Sequence, residues 1–151
     1  MLLTDLLTVA RIRIPLEGDT KDELLEELVS ILVVTDGIED QQSVLVAVRE
    51  RESILSTGIG HGVAIPHGKS AAVPELRMAA GIASAPVDFD ALDGQPVSLF
   101  FLLVGPESAA GPHIKALSRI SRLVRRDDVR ERLIASPTAD EFMQTLRHAE
   151  V

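Results

Sequence analysis

Residues 97–104 read VSLFFLLV. A run this short, apolar on both faces, is the pattern of a central β-strand covered by helices on each side. Working outward, RMAAGIASA at 77–85 reads as a second strand, with Asp93-Gly94 as a turn signal between the two. The loop GPESAAGP follows at 105–112, and then Ile114, Leu117, Ile120 and Leu123/Val124 fall on one face of an amphipathic helix. Asp127–Ala135 predicts a short helix, and Thr138 with Glu141 opens another.

Upstream, Thr20 and Glu23 have capping-box spacing. Leu24, Leu25, Leu28, Val29, Ile31 and Leu32 then keep helical periodicity up to Gly37. A second helix is expected from about Asp40 to Glu52, burying Val44, Leu45 and Val48. Helices alternating with short buried strands indicate an α/β sandwich, a sheet covered by helices. With 151 residues, no internal repeat and no linker-like tract, a single domain over 1–151 is expected.

Composition narrows the function classes. Apolar residues make up 46% and charged residues 25%, and no apolar run approaches the ~18 residues of a membrane span. The N-terminus MLLTDLLTVARIRIP lacks the basic start and cleavage site of a signal peptide, so a cytoplasmic location is expected. Cysteine is absent, which excludes disulfides, thiolate metal sites and a cysteine nucleophile. Net charge is −8, arguing against general affinity for nucleic acid or anionic membrane, and the 3% aromatic content offers few base-stacking platforms. The charge is uneven: residues 17–40 hold nine acids against Lys21 alone, whereas HIKALSRISRLVRR at 113–126 holds five cations and no acid. Such a basic run is either a solvated helix face or a surface for an anionic partner.

Residues 60–70, GHGVAIPHGKS, end like a nucleotide phosphate loop. That pattern needs a glycine at 63, where the sequence has valine, and Pro66 contributes no N–H to a phosphate cradle. The dinucleotide fingerprint fails as well, since Gly58-Ile59-Gly60 is followed by Gly62 and not by a glycine at 63.

Four histidines are present: His61, His67, His113 and His148. His148 sits in a polar helix and reads as exposed. A zinc site from His61, His67 and His113 is conceivable, although the spacing of the first two matches no recognised ligand pattern. His67 admits a different chemistry, because a neutral imidazole nitrogen can attack phosphorus and hold the phosphoryl group as a phosphoramidate. Pro66 stiffens the backbone before it, and Gly68 leaves space beside the ring.

Three separate blocks carry a family resemblance: RESILSTGIGHGVAIPHGKS (51–70), VDFDALDGQPVSLFFLLVGPE (87–107), and His113 heading HIKALSRISRLVRR. In order and spacing they resemble the EIIA domain of the bacterial phosphoenolpyruvate-dependent phosphotransferase system, fructose/mannitol type, a branch that includes the stand-alone nitrogen-regulatory EIIA proteins. The resemblance covers nearly the whole chain and is strongest from Arg51 to Arg132. It implies a single-domain sandwich with a mixed β-sheet flanked by helices, and no cofactor or metal. It further implies a phosphocarrier that accepts a phosphoryl group from an HPr-type protein, with His67 phosphorylated and Arg51 and His113 beside it. The residue chemistry agrees, since Arg51 can fork onto phosphate oxygens. His113 follows Gly111-Pro112 at an expected helix N-terminus, where the dipole favours an anion and lowers the histidine's pKa. Lys69 is a charged neighbour with no assigned role, and His61 reads as incidental.

The EIIB domains that partner sugar-transporting relatives carry a phosphorylated cysteine in this branch, so the chain is expected to be EIIA alone. Ser56-Thr57-Gly58-Ile59-Gly60 with Ile65-Pro66-His67-Gly68-Lys69 suits the nitrogen-regulatory type, in which phosphorylation changes regulatory targets by adding about −1.5 to −2 of charge. A free-standing fructose/mannitol EIIA that passes phosphate to a separate EIIB is the alternative; a zinc-dependent hydrolase is the remaining one.

Overall fold

The computed structural model describes residues 1–150; Val151, the last residue of the expected domain, lies outside them. Strands β1 (Ile12–Leu16), β2 (Gly58–Gly60), β3 (Val63–Ala64), β4 (His67–Lys69), β5 (Arg77–Val87) and β6 (Val97–Gly105) form one mixed sheet in the order β1-β5-β6-β3-β2, with β4 also pairing β6. β5 runs antiparallel to β6, whereas β3 and β4 run parallel to it. Helices α1 (Leu3–Leu6), α2 (Lys21–Asp36), α3 (Gln41–Ile54), α4 (Ala110–Arg125), α5 (Asp127–Ile134) and α6 (Ala139–Glu150) cover it.

β6 shows why the sheet is covered on both faces. Phe100, Leu102 and Val104 belong to the core under α2 and α3, and Leu99, Phe101 and Leu103 to the core under α4, α5 and α6. Successive strand residues point to opposite faces, so a strand apolar at every position needs an apolar layer on each side. The expected sheet flanked by helices is the structure observed.

The helix signals are met closely. The Thr20 hydroxyl accepts from the Glu23 N–H, and α2 stops at Gly37, whose φ is +66°. Asp40 caps α3 through the Ser43 N–H, and that helix runs to Ile54, two residues past the expected Glu52. β1 and α1 carry no signal that composition or periodicity picked out.

Two local features add to or change the sequence reading. The glycine-rich stretch is a hairpin of β2 and β3, turned at Gly60, His61 and Gly62 with φ of +102°, +57° and +78°. The glycines supply left-handed backbone for that turn. α4 begins at Ala110 and not at His113, because Pro112 falls in its first turn, where a missing N–H removes no intrahelical bond.

Candidate functional site

The chain runs along the edge of β6 twice in succession. β3 pairs with Leu99 and Phe100, and β4 pairs with Leu103, Val104 and Gly105. Between them Ile65 turns its N–H to the Thr57 carbonyl, 3.0 Å away, while the Pro66 carbonyl accepts from the Leu103 N–H at 3.0 Å. The proline thus interrupts the pairing where it has no N–H to offer, and His67 starts a new, tightly held strand.

Gly68 is fixed by packing. A Cβ there would stand 3.0 Å from the Val48 nitrogen and 3.1 Å from the Ala47 carbonyl carbon, so the backbone of α3 lies directly on β4. The space that glycine leaves is used by this helix rather than by the His67 ring. The close approach brings the C-terminal half of α3, with Arg51, to the histidine.

These elements enclose a cleft of about 510 Å³ whose lining includes Arg51, His67, Lys69, His113 and Ile114. The rings of His67 and His113, 46 positions apart in sequence, stand 5.5 Å apart at an interplanar angle of 71°. His113 is 4% exposed and His67 half-buried. Arg51 donates from Nη1 to the Leu55 carbonyl at 2.9 Å, and no carboxylate of the described residues lies within ion-pairing distance of it. Its remaining N–H groups are available to an anion. Lys69 stands 3.7 Å from Glu107.

The tautomer of His67 follows from its partner. Nδ1 lies 2.7 Å from the Ile65 carbonyl oxygen, which can only accept, so Nδ1 carries the hydrogen and Nε2 the lone pair. Burial lowers the pKa of His67 from its ordinary value; the Ile65 hydrogen bond opposes that, Arg51 and Lys69 add to it, and Glu52 opposes it. His113 is pushed down to about 4, by burial first and then by the charges of His67 and Lys69. Both rings are therefore neutral at pH 7.

His61 does not join them. It lines a separate cavity with Ser121 and Arg125, and its own N–H is held by the Asp93 carboxylate at 3.2 Å. Among the described residues no group of three or more His, Cys, Asp or Glu is placed to hold a metal ion. His148 is exposed on α6, as expected.

The sequence reading missed two features. Glu52, beside Arg51, is buried at 6% exposure and accepts from Thr57 and Lys21; its only signal was its place in the Arg-Glu pair. Ile114, assigned to the buried face of its helix, is 68% exposed at the cleft, as is Ile54 at 79%. The side chains of α4 that fill the core are those of Ala116, Ile120, Leu123 and Val124, and Ile114 lies off that stripe.

Known proteins resemble this chain in sequence and fold. The "Nitrogen regulatory protein" of Bradyrhizobium diazoefficiens is 38% identical over 149 residues, covering 97% of this chain and 95% of that protein. The "PTS system fructose-specific EIIABC component" of Bacillus subtilis is 37% identical over 146 residues, and this chain spans only 23% of its length. Among solved structures, the nitrogen regulatory protein IIA-Ntr of Neisseria meningitidis superposes with a TM-score of 0.88 at 35% identity, over 95% of this chain and 98% of that one. The family described as "Phosphoenolpyruvate-dependent sugar phosphotransferase system, EIIA 2" matches residues 5–149. With that match spanning nearly the whole sandwich, the histidine cleft included, the chain belongs to the EIIA 2 family of the phosphotransferase system.

Proposed function

We propose that the protein is a histidine phosphocarrier, a phosphotransferase component that accepts a phosphoryl group from an HPr-type protein on Nε2 of His67. The observation that carries this reading is the 2.7 Å hydrogen bond from Nδ1 to the Ile65 carbonyl, which leaves Nε2 as the nucleophilic nitrogen in a cleft beside Arg51. Nε2 gives its lone pair to phosphorus while the bond from phosphorus to the donor's histidine nitrogen breaks and returns its pair to that ring. The positive charge developing on His67 is shared through Nδ1–H with the Ile65 carbonyl. No proton has to move.

Arg51 presents guanidinium N–H groups to the phosphoryl oxygens, and neutral His113 supplies a ring N–H beside them. Transfer then depends on positioning and electrostatics, since phosphoryl transfer asks for little covalent chemistry from the protein. The exposed Ile54 and Ile114 at the cleft give partner proteins an apolar surface beside the histidines.

The nitrogen-regulatory relatives, matched along almost their full length, support a regulatory role in the cytoplasm, with phosphorylation switching which target proteins bind. No helix of the described residues is long and apolar enough to cross a membrane. The fructose-specific relative supports a second reading, in which the phosphoryl group passes to an EIIB on another chain. Incubation with phosphoenolpyruvate, Enzyme I and a panel of HPr-type donors tests the proposal. One acid-labile, base-stable phosphate is expected, and the preferred donor separates the two branches. No label with any donor refutes the carrier reading.

A further inference from the structure

The phosphoryl chemistry above leaves a buried carboxylate unused. Glu52 accepts the backbone N–H of Thr57 on both oxygens, at 3.2 and 3.0 Å, and also takes the Thr57 hydroxyl. Its Oε2 receives Lys21 Nζ at 3.0 Å, from the first residue of α2. Lys21 in turn lies 4.8 Å from the centroid of the Phe89 ring. The Thr57 carbonyl accepts the Ile65 N–H at 3.0 Å, and the Ile65 carbonyl accepts Nδ1–H of His67 at 2.7 Å. A continuous chain of hydrogen bonds therefore runs from the Lys21–Glu52 ion pair, through two backbone units, to the imidazole.

Removing a carboxylate from water costs several kcal/mol unless it is paired and its lone pairs are met, and here both conditions hold. A closed network of this kind fixes the groups at its ends. One end is the Ile65 carbonyl that sets the His67 tautomer. The other is the last turn of α3, from which Arg51, the residue before Glu52, enters the cleft.

We infer that Glu52 is a positioning residue of the phosphoryl site, holding the Thr57–Ile65 backbone so that the Ile65 carbonyl keeps the proton on Nδ1 of His67 and Nε2 free. The inference rests on the carrier reading for its consequence, but not for its geometry. Glu52 touches neither the phosphoryl group nor the ring. It acts through Thr57 and Ile65, as the groups hydrogen-bonded behind a metal-ligating histidine act on that ligand. Its charge has a second effect, favouring the protonated ring and so keeping Nε2 basic against Arg51 and Lys69.

The test compares full-length wild type with Glu52→Ala, Glu52→Gln and Thr57→Val. Two readouts are used: imidazole ¹⁵N shifts of His67 across a pH titration, and the initial rate of phosphoryl uptake from a phosphorylated HPr-type donor. Cooperative thermal unfolding reports that each variant is folded. Glu52→Ala is expected to lower the rate by about 10- to 100-fold, as lost support behind a reacting group does, and to show His67 as a mixture of tautomers. Thr57→Val keeps the Thr57 N–H bond to Glu52, and stays within roughly threefold of wild type with Nδ1–H retained.

Glu52→Gln keeps an acceptor without the charge, so the tautomer holds while the His67 titration midpoint falls. The other charged or titratable groups around the ring are untouched by that change: Glu50 and Arg51 on α3, Lys69 on β4 and His113 on α4. A folded Glu52→Ala with wild-type tautomer and a rate within twofold overturns the inference. Should that variant fail to fold, Nδ1–H exchange of His67 as slow in folded Glu52→Gln as in wild type overturns it, because a weaker neutral acceptor must loosen the Thr57–Ile65 backbone if Glu52 holds it. Failure of the carrier reading itself shows separately, as absence of label in wild type with the His67 spectra still readable.

Discussion

His67 and His113 meet edge to face with ring centroids 5.5 Å apart, one ring from the strand β4 and the other from the first turn of α4. Both stand in an environment that disfavours the charged form, and each would raise the cost of charging the other. The pair behaves as two neutral rings, which the proposed transfer uses as nucleophile and hydrogen-bond donor.

That relationship fixes a pH dependence. The folded-state pKa of each ring is lowered, to about 4 for His113, whereas an unfolded histidine titrates near ~6.5. Below that value the unfolded chain takes up protons that the folded chain resists, so stability falls with pH across the window from ~6.5 toward about 4 and is fully present above it. Thermal unfolding midpoints should therefore drop over this range, and His113→Asn should flatten the slope. Uptake of phosphate from a pre-phosphorylated donor should be level from pH ~7 to ~8 and decline only below the ordinary histidine range, where Nε2 becomes protonated.

Arg51→Lys separates anion recognition from stability. The lysine keeps the charge and loses the planar fork. Phosphoryl uptake should fall about 10- to 100-fold, in line with removal of a preorganised donor at a transferring group. Among the described residues the one hydrogen bond lost is to the carbonyl of the exposed Leu55, so the unfolding free energy should change by less than ~0.5 kcal/mol. Parallel uptake and calorimetry measurements check the split.

Gly68→Ala should damage both quantities. Its Cβ would meet the Val48 nitrogen at 3.0 Å and the Ala47 carbonyl carbon at 3.1 Å, backbone atoms that move only with the helix. A destabilisation of about 1–3 kcal/mol is expected from such overpacking. Displacing α3 also moves Arg51 relative to His67, so uptake should fall in the protein that remains folded. Denaturant unfolding and initial rates read the two effects.

Much of this architecture was legible in the residues. The both-faces-apolar β6 announced a covered sheet, and Thr20 with Gly37 marked the ends of α2. His67 and His113 could be brought together only by the family resemblance, since nothing local links positions on different elements. β1 escaped because Pro15 contradicts a strand reading; the structure accommodates it on an edge strand, where a missing N–H breaks no ladder on the open side. The exposure of Ile114 escaped because the buried stripe of α4 is centred on Ala116, Ile120, Leu123 and Val124, and at helical spacing Ile114 falls outside it. Glu52 was the hardest to see, because a buried carboxylate looks like any surface acid until its partners Thr57 and Lys21 are in place.

Asp36→Ala tests the packing away from the cleft lining. Asp36 is held at 2.7 Å by Arg11 and at 3.4 Å by Arg77, and its side chain is 7% exposed. Losing it leaves two partly buried guanidinium groups without their shared partner, at a cost of about 2–4 kcal/mol, reduced from the fully buried case by the exposure of the arginines. None of the three lines the phosphoryl cleft. Denaturant unfolding should show the loss, and uptake by folded protein should match wild type.

The most direct measurement is the position of the phosphoryl group after incubation with phosphoenolpyruvate, Enzyme I and an accepted HPr-type donor, read by ³¹P–¹⁵N coupling in imidazole-labelled protein. One phosphate bonded to Nε2 of His67 is expected, and none in His67→Ala. Phosphate on Nδ1, on His113 or on any residue of the His67→Ala protein would contradict the proposed transfer to Nε2.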